Sequence, residues 1–347
     1  MFNKVVGTGG IGTGMFFNLA GNHALGRDES RLGFLTDFKD YCKQHIILHY
    51  VSVLTKDKCR INAIGMVGQD PQGELLLEEM EAAGINTAFV GKTENARTML
   101  SICFQYPDKS GGNITTYNSA CGLVDTAYIR RCIKQLEFDE RTIVLAVPEV
   151  ELSARLELMK RGKEKGAFVA ASVLSGEVSE FRNCDGIKLC DLLAVNKDEA
   201  RSIAGLDEEE TDAGTTADKC AEYVRSQNLQ CRLIVTCGAK GCFTYNNGCR
   251  EFVPSIDVDV VSTAGAGDAL LGGTLAGIIN GLPFQKGLCD ATFGASPLKS
   301  AAEFGTIVSA LAVMSPNSIA DNVSRNNINI FINNKKFILS EEFANVL

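Results

Sequence analysis

The stretch "STAGAGDALLGG", Ser262–Gly273, follows the alternating run "IDVDVV" at residues 256–261. Alternation of period two predicts a strand, and the small and apolar residues from Gly267 onward predict a helix. Between the two, Gly265, Ala266 and Gly267 place bare backbone N–H groups at a helix N-terminus. The macrodipole adds positive potential there, so the turn is suited to an anion. Asp268 falls in the first helical turn. It either acts on something those N–H groups hold or only stabilises the helix start, and the turn alone leaves both open.

Two further elements share this placement. "LLAVNKDEA", residues 192–200, ends a strand at Asn196 and puts Glu199 three residues on. As structure this is a capping box; as chemistry, an amide and a carboxylate can organise water and Mg²⁺ around phosphates. "IVTCGAKGCFTY", residues 234–245, reads as strand, turn, strand, with Thr236, Gly238 and Gly241 in the turn. Either the glycines let a nucleotide lie on the hairpin or they make a plain turn, since the spacing is not that of a Walker A loop. All three elements sit at predicted strand C-termini, where open α/β sheets bind ligands.

Elsewhere short apolar runs alternate with helical-period segments. Strands are expected at "KVV", "RINAIGMVG", "TIVLAV", "AFVAAS", "DLLAVN" and "RLIVTC". Helices are expected over residues 38–54, 70–84, 125–136, 150–166, 197–205 and near 215–227, with three more between Gly267 and about Met314. Residues 97–118 read as a β-hairpin, residues 18–33 as a loop, and the acidic run at 207–214 as a solvated loop. Repeated strand–helix–strand units imply an α/β fold: three layers, doubly wound, a mostly parallel central sheet with helices on both faces, and a small β-lid. No linker or repeat divides residues 1–347, so a single domain is expected.

"VVGTGGIGTG", residues 5–14, offers a competing fingerprint, because Gly7, Gly9 and Gly12 spell G-x-G-x-x-G after a strand. A dinucleotide site needs a helix next, then a second strand carrying an acid. In this chain residues 18–33 read as a loop instead, so an NAD-dependent oxidoreductase is the weaker reading. Taken together, Asn196-x-x-Glu199, Thr236-x-Gly238-x-x-Gly241 and Gly265-Ala266-Gly267-Asp268, in this order, resemble the ribokinase-like (PfkB) family of carbohydrate kinases. "GMVGQDPQGELLLEEMEAAGI", residues 65–85, is similar to that family's segment after the second strand.

The resemblance implies an ATP-dependent phosphotransferase acting on a hydroxyl of a sugar, polyol or nucleoside. Asp268 would be the base and the Gly265–Ala266–Gly267 backbone the anion hole. Thr236, Gly238 and Gly241 would line the nucleotide site, with Asn196 and Glu199 on Mg²⁺ and phosphate. The first glycine turn would then lie at the acceptor site, with Gly9, Gly10, Gly12 and Asn118 as candidate contacts. The hairpin around 97–118 would be a lid that pairs with a second subunit in a homodimer. Family members carry an Asp where Gly12 stands, and a Gly-Gly-x-x-x-Asn before the next helix that is absent here. His45 and His49, four apart on the helix in that place, are candidate acceptor contacts or core residues; a zinc pair lacks a third ligand. The departures also leave room for a non-catalytic sugar- or nucleotide-binding sensor.

The net charge of −8, without a basic run, argues against nucleic acid and anionic membranes as partners. No secretory signal is visible, and the apolar run Ala269–Leu282 is too short to span a bilayer. The 13 cysteines include no C-x-x-C, so reduced thiols in a cytoplasmic protein are expected.

Overall fold

The computed structural model describes residues 1–56, 58–108, 111–206, 212–287 and 296–347. Its centre is a nine-stranded sheet. Parallel strands β1 (Lys4–Thr8), β4 (Arg60–Gly68), β5 (Ile85–Thr93), β8 (Thr142–Ala146), β9 (Phe168–Ser172), β10 (Leu192–Asn196) and β11 (Arg232–Thr236) make up most of it. An antiparallel hairpin, β12 (Gly241–Asn246) and β13 (Cys249–Pro254), closes one edge. The order is β13-β12-β11-β10-β9-β8-β1-β4-β5. From β1 the chain first winds outward to β4 and β5, then returns to β8 and winds the other way. The boundary between β1 and β8 is therefore the topological switch point, where the loops leaving the strand ends diverge and open a crevice.

Helices cover both faces because the inner strands are apolar on both sides; β8 is buried at every position. On one face lie α3 (Thr126–Ile133), α4 (Leu152–Glu164), α5 (Val178–Asn183), α6 (Lys197–Ala204) and α7 (Ala213–Gln227). On the other lie α1 (Lys43–Thr55), α2 (Pro71–Ala82) and α8 (Ala266–Ile279). Outside them α9 (Ala301–Val313) and α10 (Arg325–Asn334) build a further apolar cluster against α1 and α8. The N-terminus of α9 is pinned by a buried ion pair, Lys286 Nζ to Glu303 Oε1 at 2.5 Å.

The lid is larger than the hairpin expected at 97–118. A second sheet of four strands runs β3 (Gly33–Tyr41), β2 (Gly12–Leu19), β6 (Met99–Gln105), β7 (Gly111–Thr115). Residues 12–19 and 33–41 are therefore strands, and the helix expected from residue 38 starts at Lys43. β5 is an addition to the expected strands. The alternating "IDVDVV" is not a strand; the Val261 and Ser262 amides donate instead to the Val313 carbonyl. Among the described residues two helices, not three, lie between Gly267 and Met314, and residues 288–295 there fall outside the description. The same holds for 207–211 of the acidic run, while Asp212 caps α7 through the Gly214 and Thr215 amides. No described helix is long and apolar enough to cross a membrane.

Candidate active site

At the switch point β1 is followed by Gly9, Gly10 and Ile11, and the chain turns directly into lid strand β2. A dinucleotide turn would open a helix here; this one opens a strand, which removes the nicotinamide reading. The Gly10 amide donates to the Pro148 carbonyl at 3.0 Å, and a Cβ on Gly10 would lie 2.6 Å from Glu149 Oε2. Glu149 follows β8 with φ of 79°. A non-glycine residue in that region costs of order 1–3 kcal/mol, a strain that clusters at working sites.

Across the crevice α1 begins immediately after lid strand β3, with Cys42 between them. The Lys43 amide donates to Glu149 Oε2 at 3.3 Å, and its ammonium lies 3.5 Å from Asp268 Oδ1. A cation in the first turn of a helix opposes the macrodipole, so Lys43 is held there by its carboxylates rather than by its own helix. Asp268, Glu149 and Glu199 all raise its pKa. Conversely, burial pushes Glu149 up to about 7 despite Lys43. Burial likewise raises Asp268, against the pull of Lys43, and Asp40 adds to the upward push.

Asp268 occupies the first turn of α8, whose N-cap is Gly265 at φ 73°. A Cβ on Gly265 would meet the Ser318 carbonyl at 2.8 Å, so both conformation and space demand glycine. First-turn N–H groups have no partner within the helix; the Ala266 amide makes a long contact of 3.3 Å to the Thr263 carbonyl. Nothing stands within 4 Å of where a Gly267 Cβ would be, so the approach over that turn is open.

From this turn a cleft of about 760 Å³ runs outward between α8, α9 and the ends of β10 and β11. Asn196, Thr236, Gly238, Gly241, Ala266 and Gly267 are among its walls. The volume suits a nucleotide-sized molecule. Asn196 caps α6 by accepting from the Glu199 amide at 2.9 Å, and Glu199 accepts from the Asn196 amide at 2.8 Å. Glu199 is buried, its pKa raised by that burial and by Asp268 and Glu177, against the Asn196 amide and Lys43. One capping box thus ties an exposed amide to the carboxylate field of the site.

A family model of the pfkB carbohydrate kinases matches residues 48–325. The chain belongs to this family. PfkB kinases are phosphotransferases whose acceptor is an alcohol group. A ribokinase of Schizosaccharomyces pombe is 26% identical to this PfkB chain over 235 residues, covering 66% of it and 70% of the relative. Fructokinase-1 of Oryza sativa subsp. japonica is 26% identical over 244 residues, covering 66% and 72%. The solved ribokinase of Cryptococcus neoformans var. grubii serotype A, in complex with ADP, has a TM-score of 0.72 at 18% identity, covering 95% of this chain and 99% of that one. That likeness shows the fold.

Within this PfkB fold the sequence-marked residues divide into two groups. Asn196, Glu199, Thr236, Gly238, Gly241, Gly265, Ala266, Gly267 and Asp268 gather around the cleft or its inner end, and Gly10 makes room for Glu149. Gly9 is packed shut, since a Cβ there would lie 2.5 Å from Val147 Cγ2. Gly12 is packed shut: a Cβ there would lie 2.6 Å from the Met99 carbonyl and 2.9 Å from Cys42 Sγ. Asn118 lies exposed beyond β7. His45 and His49 are a correction. They occupy the other flank of α1, with His45 buried against the Tyr41 ring at 4.6 Å. His49 lies in the field of Asp321 and Glu79. Neither reaches the cleft. Sequence reasoning missed Lys43, Glu149 and Asp40; the one available signal was a lysine at a helix start with no acid in its first turn.

Proposed function

We propose that the chain transfers the γ-phosphoryl group of ATP to a hydroxyl of a small sugar, polyol or nucleoside. The observation that carries this reading is the Asp268–Lys43 pair at the N-terminus of α8, at the inner end of a nucleotide-sized cleft. Asp268 takes the proton of the acceptor hydroxyl as its oxygen attacks the γ-phosphorus. The bond from that phosphorus to the β-phosphate oxygen breaks, and ADP leaves. Little covalent help is needed in such a step, so positioning and charge dominate. The ammonium of Lys43 and the N–H groups of Gly265, Ala266 and Gly267 face the phosphoryl oxygens. Thr236, Gly238 and Gly241 support the nucleotide, while Gly10 makes room for the Glu149 side chain at the floor of the crevice.

Among the described residues no cluster of three acidic, His or Cys side chains could cage a metal. Mg²⁺ keeps several waters and needs only one or two carboxylates plus phosphates. Glu199 and Asn196 would hold it, and it would supply charge neutralisation on the phosphate oxygens. The outer lid face would pair with a second copy of the chain. A screen of ADP release with Mg-ATP against sugars, polyols and nucleosides tests the reading; binding without turnover for every acceptor would make the chain a sensor.

A further inference from the structure

The crevice beneath the lid needs polar groups that can orient an acceptor before phosphoryl transfer, and the turn after β1 does not provide a carboxylate. Position 12 cannot take one, because Met99 and Cys42 fill the space a side chain would need. The lid itself does provide one. In the lid register Asp40 of β3 lies opposite Gly14 of β2, and Gly14 lies opposite Ser101 of β6. Ser101 in turn lies opposite Thr115 of β7. Directly paired residues share a face, so one lid face carries a row of Asp40, Ser101 and Thr115 with a gap at Gly14. A Cβ on Gly14 would lie 2.7 Å from Asp40 Oδ2, so this glycine makes room for the carboxylate. The Cys103 thiol donates to the same oxygen at 3.3 Å. Met99, two residues before Ser101 on the same face of β6, is buried, whereas Ile102 on the opposite face is exposed, so the row looks inward; Asp40 accordingly acts electrostatically on Asp268.

We propose that Asp40 is the acceptor-binding carboxylate of this kinase, contributed by the lid, and that the acceptor is an uncharged polyol or sugar. The inference rests on the kinase reading above. Asp40 accepts hydrogen bonds from acceptor hydroxyls while Asp268 takes the proton of the reacting one. With Asp40 and Asp268 facing the acceptor and Lys43 committed to the phosphoryl group, an acceptor bearing a phosphate or carboxylate meets repulsion. Two unit charges about 6 Å apart at a partly screened site discriminate by roughly 10²-fold.

The test uses the full chain and whichever uncharged acceptor turns over fastest in the screen. Asp40→Asn should raise KM for that acceptor roughly 10–100-fold, the usual worth of a charged hydrogen bond. KM for ATP should stay within twofold and kcat should change less than KM. Asp40→Glu should recover part of the loss. Equal changes in both KM values, or none, overturn the proposal while leaving the kinase reading intact. If Asn at position 40 unfolds the lid, the parent enzyme decides: an acceptor phosphate or sugar acid used as well as its uncharged counterpart overturns it. Absence of turnover with every acceptor overturns both.

Discussion

Asp268 stands between opposing influences: burial and Asp40 favour its neutral form, while Lys43 holds it as the carboxylate a base must be. Asp268→Asn keeps the side-chain volume and removes the basicity. We expect ATP binding to persist and kcat to fall roughly 10²–10⁴-fold; a parent-like kcat would make Asp268 a helix-stabilising residue only. His45 shows the opposite situation, a titratable group in the core. Its Nδ1 has no hydrogen-bond partner, and burial, helped by His49, lowers its pKa from 6.5 to about 3. The unfolded chain therefore binds the extra proton below pH 6.5. Stability is full above that pH and falls as pH drops towards 3. Between pH 7.5 and 5 His45 alone should cost about 2 kcal/mol. His45→Gln should shrink the difference in urea-unfolding free energy between those two pH values by that amount, and an unchanged difference would refute the assignment.

At the scale of elements, the α6 capping box combines a structural role with a proposed chemical one, and the two can be separated. Glu199→Gln retains an acceptor for the Asn196 amide, so unfolding free energy should change by less than about 1 kcal/mol. If Glu199 also organises Mg²⁺, the Mg²⁺ concentration for half-maximal rate should rise roughly 10–100-fold. A stability loss without that shift would leave it a cap. The elements legible in the sequence were those with a buried face. β1, β4, β8, β9, β10 and β11 are apolar runs because both faces are covered, and the C-terminal ends of β10 and β11 carry the caps and glycines that marked Asn196 and Thr236; Gly265 was marked by the small-residue helix that follows it. Lid strands β2 and β3 have no core beneath them to impose a pattern, and glycines at 12 and 14 disguise their start. β5 is an edge strand with mixed burial, which weakens its alternation. In "IDVDVV" the alternation is present but no neighbouring strand pairs with it, a tertiary fact that no local pattern contains.

For the whole molecule, the site was legible only where one segment contributes several groups. Asp40 and Lys43 flank one joint between β3 and α1, Glu149 follows β8, and only the winding of the sheet about its switch point brings both segments to Asp268. The outer lid face raises a separate question. Met15, Ile102 and Ile114 are cross-strand neighbours, exposed by 37%, 41% and 67%. A row of this kind, open to water, suits burial against a second copy. Ile114→Lys should convert a dimer into a monomer in light scattering, while a parent chain already monomeric at working concentrations would refute the pairing.

A single residue, Cys42, separates the end of β3 at Tyr41 from the start of α1 at Lys43. The sulfur of that residue is wedged beside Met99 at 3.5 Å, and its amide is tied to the Gly12 carbonyl. There is no slack in the joint. Any swing of the lid is transmitted as torque to the first turn of α1, and so to the ammonium beside Asp268. The cover over the crevice and the charge at its floor are thus the two ends of one lever. Changes that shift the β3 backbone will also displace the lysine, whereas a side-chain change of equal size such as Asp40→Asn leaves it in place and a lengthened joint would let cover and charge be adjusted alone.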